Sequence, residues 1–389
     1  MAEPAVTDPT SAAAAAPAGP PKRTPFYEFH VSAGARMVPY AGWEMPLVYT
    51  GIVEEHVQCR TSGAFFDVSH MGRLRFAGAG ATDFLNLLVT RDVTKMKPGQ
   101  SRYAFVCNER GGIMDDVIVA RHEHANEWSM VCNAGNRGKI VGHLERLRIE
   151  RGADVVVDDV TEETAMCALQ GPKVIDDVAG LLNEAVDEDV RKLKKFGFAR
   201  GVFMDSRVEV YRSGYTGEDG VELIMSAAMA KLLVGMVGHK WRQAGSVIRP
   251  AGLGARDTLR VEAGLPLYGH ELDEDIDPLS TGFGWAVSAD TPFVGAEAVR
   301  EVARAGPVKQ LVGLELDGRR TARQGAHIML NDLQVGAVTS GVFSPTLNRS
   351  IAMGYVVADY AGVGTRLGVD FKREVAQATV VPLPFYKPA

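Results

Sequence analysis

A β-hairpin is predicted in the first third of the chain, where the residues change from apolar to polar and back. Residues 105–107 are apolar, residues 108–112 form a polar turn that contains two glycines, and residues 113–120 are apolar again. Two adjacent carboxylates, Asp115 and Asp116, interrupt the second strand. Carboxylates inside an apolar strand are the first candidates for chemistry.

The two carboxylates are predicted to have different surroundings, because successive side chains of a strand point to opposite faces. Strict alternation groups Asp116 with Met114, Ile118 and Ala120, and leaves Asp115 with Ile113, Val117 and Val119. If both faces of the sheet are covered, at least one carboxylate is buried, which is unfavourable without a partner. An edge strand with one solvated aspartate is the alternative interpretation.

Apolar periodicity predicts helices and strands in alternation over most of the chain. Helices are predicted over residues 26–35, 51–62, 81–88, 139–148, 172–182 and 250–264. In residues 51–62, the apolar stripe is formed by Ile52, Val53, His56 and Val57. This alternation predicts an α+β protein. From Val308 onward strands and turns dominate, which predicts a separate all-β domain, a small barrel.

Polar residues at two other places are further candidates. His70 lies close to Asp67 and Ser69, but one strand and its turn cannot easily hold a catalytic triad, so structural turn chemistry is favoured. Glu222 interrupts the apolar strand 221–225, next to a glycine-rich loop whose acidic residues do not suit a phosphate.

The helix predicted over residues 250–264 carries Arg256 and Arg260 one turn apart, with Asp257 and Glu262 near them. Surface ion pairs would explain this pattern, and ligand binding is the alternative. The basic residues of the segment 192–195 are treated in the same way: a solvated face is the first interpretation, and docking of an acidic partner is the second.

Composition restricts the class of protein. With 389 residues, the chain is expected to hold about two or three domains. Its net charge of −6 gives no reason to expect nucleic acid or an anionic membrane as partner, and no apolar stretch approaches the length of a membrane span. The four cysteines lie far apart and form no metal-binding pattern, which predicts buried thiols and no metal.

The N-terminus, residues 1–24, is rich in alanine and proline and is predicted to be a disordered tail. It lacks the basic start and the leucine-rich stretch of a signal peptide. A transit peptide does not fit well either, because Glu3 and Asp8 are acidic. A cytoplasmic location is therefore expected.

Seven segments, in order along the chain, together resemble one family, the aminomethyltransferases or T proteins of the glycine cleavage system. The segments are DVSHMG (67–72), NERGGIMDDVIV (108–119), CNAGNR (132–137), ALQGP (168–172), GYTGEDGVE (214–222), GLGARDTLRVEAGLPLYGHEL (252–272) and VTSGVFSPTLNRSIAMGYV (338–356). The resemblance extends from about residue 25 to the C-terminus.

The resemblance implies a three-domain, clover-like arrangement around a central folate cavity. Two discontinuous α+β domains are expected, the first formed by residues 25–73 with 160–255 and the second by residues 74–159 with 256–302. Residues 303–389 are expected to form the C-terminal β-barrel domain. The implied reaction takes an aminomethyl group from the lipoylated H protein, releases ammonia and gives 5,10-methylenetetrahydrofolate. This would be a step of glycine catabolism and one-carbon metabolism, with tetrahydrofolate as co-substrate and no flavin.

The resemblance also implies roles for individual residues. Asp116 matches the family's catalytic carboxylate, Glu222 the residue that holds the pterin ring, and Arg256 a folate contact. The remaining positions are similar to residues that line the family's cavity or lie near the folate: Met71, Tyr103, Asn133, Tyr215 and Tyr386. A buried carboxylate that pairs with adjacent pterin N–H donors would explain why Glu222 interrupts a strand.

Two other classes of protein with this fold remain as alternatives. Folate-dependent demethylases, such as the dimethylglycine and sarcosine oxidising enzymes, carry a flavin domain with a G-x-G-x-x-G motif. Here Gly78 and Gly80 lack the third glycine and the βαβ context. Non-enzymatic folate-binding proteins that assist iron–sulfur assembly use a cysteine near the barrel, whereas no cysteine follows Cys167.

Overall fold

The structure, a computed structural model, describes residues 19–124 and 126–388. The described residues form three sheets, a closed barrel and eight α-helices. The helices are α1 Tyr27–Ser32, α2 Ile52–Thr61, α3 Ala81–Leu88, α4 Arg137–Arg151, α5 Val174–Ala185, α6 Ala227–Trp241, α7 Leu253–Glu262 and α8 Ala296–Ala305. Short 3₁₀ turns lie at Val93–Lys95, Ala134–Asn136, Gly284–Ala286 and Ala358–Tyr360.

A six-stranded sheet, called here the first sheet, has the order β11-β12-β13-β10-β4-β14. Its strands are β4 Gly63–Asp67, β10 Thr164–Gln170, β11 Phe198–Phe203, β12 Ser206–Tyr211, β13 Gly220–Ser226 and β14 Ile248–Pro250. Val174 of α5 and Trp241, the last residue of α6, belong to the core on one face of this sheet. Beside it lies a three-stranded sheet of order β1-β3-β2, made of β1 Lys22–Arg23, β2 Arg36–Tyr40 and β3 Trp43–Val48.

A five-stranded sheet, the second sheet, has the order β6-β7-β8-β5-β9. Its strands are β5 Gly72–Ala77, β6 Gln100–Cys107, β7 Ile113–Arg121, β8 Glu127–Cys132 and β9 Val156–Asp159. The predicted hairpin is formed by β6 and β7, which pair antiparallel. Because β7 also pairs with β8, it lies inside the sheet, and the edge-strand alternative for Asp115 and Asp116 is wrong.

A β-bulge in this hairpin changes which residues share a face. Val106 pairs with Asp115, but Cys107 pairs with Ile113, so Met114 is an extra residue in β7. Met114 therefore packs in the same core as Val117 and Val119, and its predicted grouping with Asp116 is wrong. The alternation of side chains along a strand predicts which residues share a face only where the strand pairs with its neighbour without a bulge.

The last six strands close into a barrel of order β15-β18-β17-β16-β19-β20. They are β15 Lys309–Leu316, β16 His327–Leu330, β17 Leu333–Ser344, β18 Arg349–Val357, β19 Arg366–Asp370 and β20 Val375–Val381. The predicted α+β fold with a C-terminal β-barrel is confirmed. The predicted domain limits remain predictions, and two of them fall inside helices: 255/256 within α7 and 302/303 within α8.

The N-terminal tail prediction is wrong for its last residues. Lys22–Arg23 forms strand β1, which pairs with β3, and Thr24 is buried and donates from Oγ1 to Asp67 Oδ2 at 2.6 Å. A short polar segment is ordered here because a buried carboxylate accepts its hydroxyl. The rest of the prediction, residues 1–18, lies outside the described residues.

The apolar stripe predicted for α2 is wrong at two of its four positions. Val53 and Val57 are 46% and 42% exposed, whereas His56 is buried as predicted, together with Glu55 and Cys59. Glu55 is inside because its carboxylate accepts the backbone N–H groups of Tyr49, Thr50 and Gly252. Because these three N–H donors need an acceptor, α2 turns the face that carries Glu55 inward and leaves the two valines partly exposed.

Other expectations from composition can be compared with the described residues. All four cysteines are free and buried, as predicted. Within residues 19–124 and 126–388, no helix is long and apolar enough to cross a membrane, and no cluster of three or more His, Cys, Asp or Glu side chains suits a metal ion. Lys192, Lys194 and Lys195 are exposed around the buried Leu193, which leaves both interpretations of that segment open.

Candidate active site

A cavity of about 350 Å³ lies between the first and second sheets. The first sheet contributes residues of β10, β12 and β13, and the second sheet contributes residues of β6, β7 and β8. The rest of the wall comes from α7, from the segment 265–285 and from loops that include residues 70–71, 133–136 and 213–215. Seven of the eight predicted site residues line it: Met71, Tyr103, Asp116, Asn133, Tyr215, Glu222 and Arg256. Residues that are distant in sequence therefore line the same cavity.

Asp116 points to this cavity from β7 and is held by two neighbours. The hydroxyl of Tyr103 donates to Asp116 Oδ2 at 3.1 Å, and the side-chain amide of Asn133 donates to Oδ1 at 2.6 Å. Burial raises the pKa of Asp116 above the usual range of an aspartate, and the two hydrogen bonds only partly offset this effect. Asp116 is therefore a carboxyl that can exchange a proton closer to neutral pH.

Asp115 is fully buried beside the same amide group. Its carboxylate accepts from the backbone N–H of Asn133 at 3.0 Å, from the side chain of Asn133 at 2.8 Å and from the side chain of Asn136 at 2.7 Å. Burial and the neighbouring charge of Asp116 raise the pKa of Asp115. The two carboxylates have different surroundings, as predicted, because only Asp116 lines the cavity; the prediction did not foresee that Asn133 contacts both.

Glu222 faces the cavity from β13, where it is paired with Ala168 and Tyr211 across the sheet. The hydroxyl of Ser213 donates to its Oε2. Burial raises the pKa of Glu222, while Ser213 and the positive charge of Arg256 lower it. The carboxylate has acceptor capacity left for donors in the cavity.

Arg256 projects into the cavity from α7 above the ring of Tyr215, with 4.7 Å between the guanidinium carbon and the ring centre. Its Nη1 is buried and has no hydrogen-bond partner among the described residues. The hydroxyl of Tyr215 donates to the carbonyl oxygen of Pro266. An unpaired guanidinium nitrogen at a cavity wall is suited to an acceptor on a bound molecule.

The surface ion pairs predicted for α7 are not found at Arg260. This side chain is 1% exposed and donates to Glu271 at 2.7 Å, to Asp257 at 2.9 Å and to Ser340 at 2.8 Å. Since Ser340 belongs to β17, Arg260 joins the helix to the barrel. Of the two arginines, only Arg256 lines the cavity.

Tyr386 is the predicted site residue that does not line the cavity. Its ring lies against Arg60, with 4.0 Å from the guanidinium carbon to the ring centre, and its backbone N–H donates to the carbonyl oxygen of Glu262 at 2.8 Å. The C-terminal segment is thereby held at the end of α7, away from Asp116.

Sequence reasoning missed several residues of the cavity wall. The sequence favours structural turn chemistry at His70, but the residue lines the cavity and packs edge-on against Tyr40, with 5.5 Å between the ring centres. Its Nδ1 has no partner in the described part of the chain. Burial and the charge of Arg256 lower the pKa of His70 to about 3, so the ring is neutral. Its place directly before Met71 in DVSHMG was the available signal.

Aromatic rings cover another part of the wall. Phe283 and Trp285 line the cavity next to Tyr103, with ring centres 5.9 and 5.8 Å from that of Tyr103, and Trp285 is 54% exposed. The wall therefore runs from a surface tryptophan to the tyrosine that contacts Asp116. The surrounding loop has no regular period, so the sequence offered no signal for this contact.

The first sheet with its helices and the second sheet with its helices, called here the two lobes, enclose the cavity with its buried carboxylates, and the barrel follows them in the chain. This arrangement can be compared with known families. The family model for the GCVT N-terminal domain matches residues 26–291, and that for the glycine cleavage T-protein C-terminal barrel domain matches residues 309–387. The chain belongs to the glycine cleavage T-protein family.

Individual relatives agree with this assignment. An aminomethyltransferase of Geobacillus kaustophilus is 40% identical over 380 residues, which cover 95% of this chain and 99% of the relative. An aminomethyltransferase of Rubrobacter xylanophilus is 43% identical over 371 residues and 94% of each chain. The crystal structure of the glycine cleavage system aminomethyltransferase T from Bartonella henselae is 34% identical and superimposes with a TM-score of 0.85, covering 94% of this chain and 98% of the other.

Proposed function

We propose that this chain transfers the one-carbon unit of an aminomethyl group, carried on the lipoyl arm of the H protein, to tetrahydrofolate. The products are ammonia, 5,10-methylenetetrahydrofolate and the reduced lipoyl arm. The observation that carries the proposal is the presence of Asp116, Glu222 and Arg256 in one cavity, in a chain that belongs to the T-protein family.

The proposed transfer balances without an oxidant. The carbon–sulfur bond and the carbon–nitrogen bond of the aminomethyl group break, and two carbon–nitrogen bonds to the folate nitrogens N5 and N10 form. The two protons lost from those nitrogens end on the lipoyl sulfur and on ammonia. The protein must therefore stabilise positive charge at the carbon and move protons.

Asp116 is suited to both tasks. Its carboxylate lies at the cavity wall, where a negative charge stabilises the positive charge that develops as ammonia leaves. Its raised pKa makes it a better proton acceptor than an ordinary aspartate, so it can relay a proton from a folate nitrogen. Tyr103 and Asn133 hold the two oxygens in place.

Glu222 and Arg256 are suited to holding the folate. A carboxylate can accept the adjacent N–H donors of a pterin, and the unpaired Nη1 of Arg256 can donate to a ring oxygen or a carboxylate. Met71 and Tyr215 supply apolar and aromatic wall surface. Tyr386 is left out of this proposal, because it contacts Arg60 instead of the cavity.

A transfer assay tests the proposal directly. The protein is incubated with tetrahydrofolate and aminomethyl-loaded H protein, and ammonia and methylenetetrahydrofolate are measured together. We expect both products in equal amounts, and neither from the Asp116→Asn variant at a comparable rate. Ammonia release no faster than from loaded H protein alone would overturn the proposal.

A further inference from the structure

The side-chain amide of Asn133 lies between the two adjacent carboxylates of β7. Its Nδ2 is 2.8 Å from Asp115 Oδ1 and 2.6 Å from Asp116 Oδ1. An amide NH₂ group has two hydrogens, so one group can donate to both residues at once. Asn133 therefore connects the buried carboxylate to the one that faces the cavity.

Asp115 determines which way this amide points. It accepts the backbone N–H of Asn133 as well as its side chain, and Asn136 donates to the same carboxylate. With acceptors on both sides, only the NH₂ end of the Asn133 amide can lie between the two residues. The opposite orientation would place a carbonyl oxygen against two carboxylates.

The groups that face the pair bring no positive charge. Tyr103 of β6, Cys132 of β8, Tyr215 and Tyr268 surround it, and burial raises the pKa of each of these groups, which keeps them neutral. Among the described residues, no lysine, arginine or histidine forms an ion pair with Asp115 or Asp116. Two adjacent buried carboxyls without a cation are expected to titrate as a unit, in two separated steps.

We propose that Asp115 is a positioning residue for Asp116: it fixes the orientation of the Asn133 amide and couples the protonation of the two carboxyls. Its importance for turnover rests on the proposed function, whereas the coupling itself is a property of the ligand-free protein. Asp115 does not line the cavity and is not expected to touch a substrate.

The coupling is tested without substrate by carbon-13 NMR of aspartate-labelled protein titrated with acid. The signal of each aspartate is identified by its loss in Asp115→Asn or Asp116→Asn. In the parent protein we expect the pair to titrate in two steps, the upper one at Asp115, whose pKa is raised by burial and by the charge of Asp116. In Asp116→Asn that charge is gone, so we expect Asp115 to titrate at least about one pH unit lower. An Asp115 midpoint that stays the same in Asp116→Asn would overturn the proposal.

Turnover supplies the second readout. In Asp115→Asn the new NH₂ group lies against the N–H donors that the carboxylate accepted, so the Asn133 amide is expected to turn. We then expect kcat to fall about tenfold or more, while the KM for tetrahydrofolate changes less than about threefold. Asp67→Asn is the matched control: Asp67 is also fully surrounded by donors, yet lies outside the cavity wall. It should lower the Tm without moving the Asp116 titration.

A separate variant covers the case in which Asp115→Asn does not fold. Asn133→Ala leaves both carboxylates, the backbone donor to Asp115 and the donor from Asn136, but removes the connecting amide. The upper titration step should then rise, because a donor to each carboxylate is lost, and kcat should fall. An unchanged titration together with unchanged kcat would show that Asn133 does not connect the pair. Coupling without ammonia release in the parent protein would count against the proposed function and not against this inference.

Discussion

Asp116 is expected to reduce the stability of the fold while serving the reaction. Folding raises the pKa of Asp116, so the protonated carboxyl stabilises the folded state relative to the unfolded state. This stabilisation is complete below the unfolded-state pKa of about 3.9 and is lost as the pH rises through the folded-state pKa. Near neutral pH, the carboxylate is a destabilising charge in the wall of the cavity.

Asp116→Asn should therefore be more stable than the parent protein at pH 8 and about equally stable at pH 4. Thermal unfolding at both pH values measures this difference. Turnover should fall by roughly 10²–10³, the range for lost electrostatic stabilisation of a transition state. A variant with near-normal turnover would remove Asp116 from the mechanism.

Glu222 is expected to contribute to binding rather than to chemistry. Glu222→Gln keeps the volume but replaces one acceptor oxygen with a donor, so tetrahydrofolate binding should weaken by roughly 1–3 kcal/mol, the usual effect of losing a charged hydrogen bond. Calorimetric titration measures this loss.

A matched control for that variant lies on the neighbouring strand. Glu209 of β12 is also buried and accepts from the hydroxyl of Tyr211, but it does not line the cavity. Glu209→Gln should bind tetrahydrofolate with unchanged affinity. Equal losses in the two variants would mean that the effect on binding is indirect.

At the scale of elements, helix α7 connects the cavity to the barrel. It carries Arg256 at the cavity and ends at Glu262, whose carboxylate accepts from Arg60 at 2.9 Å and Thr346 at 2.8 Å, and lies 3.2 Å from His56. These hydrogen bonds and charges overcome the effect of burial and lower the pKa of Glu262 to about 2. The position of Arg256 therefore depends on contacts made two turns further along the helix.

Glu262→Gln should destabilise the protein in a pH-dependent way. Because the folded-state pKa is lowered, the stabilisation is present above the unfolded-state value of about 4.3 and is lost as the pH falls toward 2. We expect a loss of about 2–3 kcal/mol at pH 7 and a smaller loss at pH 3, measured by urea unfolding. Glu54→Gln, which breaks the more exposed pair with Arg249, should have little effect at either pH. A constant loss at both pH values would contradict the electrostatic explanation.

At the scale of the whole molecule, one core connects the second sheet to the barrel. Phe105 and Ile113 of the hairpin pack in the same cluster as Val261 of α7 and as Leu311 and Met353 of the barrel. The cavity is lined from both lobes, so a bound molecule would contact parts of the chain far apart in sequence. Ligand binding should therefore stabilise both lobes together.

Tetrahydrofolate at about 100 times its Kd should stabilise the protein by about 2.7 kcal/mol through linkage. We expect the complete thermal transition to move upward, and to move less in Glu222→Gln at the same concentration. Scanning calorimetry measures both shifts. If only one of several transitions responded, the ligand would be held by one lobe alone.

The sequence by itself determined most of the secondary-structure elements, because these depend mainly on residues that are close together along the chain. The hairpin of β6 and β7, the C-terminal barrel and six of the eight helices of the described residues follow from apolar periodicity and turn residues, which act over a few positions. Helices α6 and α8 were not predicted. The motifs also selected seven residues that line a single cavity, although nothing in their spacing indicated a common location.

Only the tertiary structure decided which polar groups are buried and which partners they have. Arg260 is enclosed because the barrel packs on α7, Thr24 is ordered because Asp67 needs a donor, and Met114 changes face because of a bulge. Asp115 and Asp116 share Asn133 because the end of β8 lies beside β7. Periodicity describes one element at a time, whereas burial and hydrogen-bond partners depend on elements that meet only after folding.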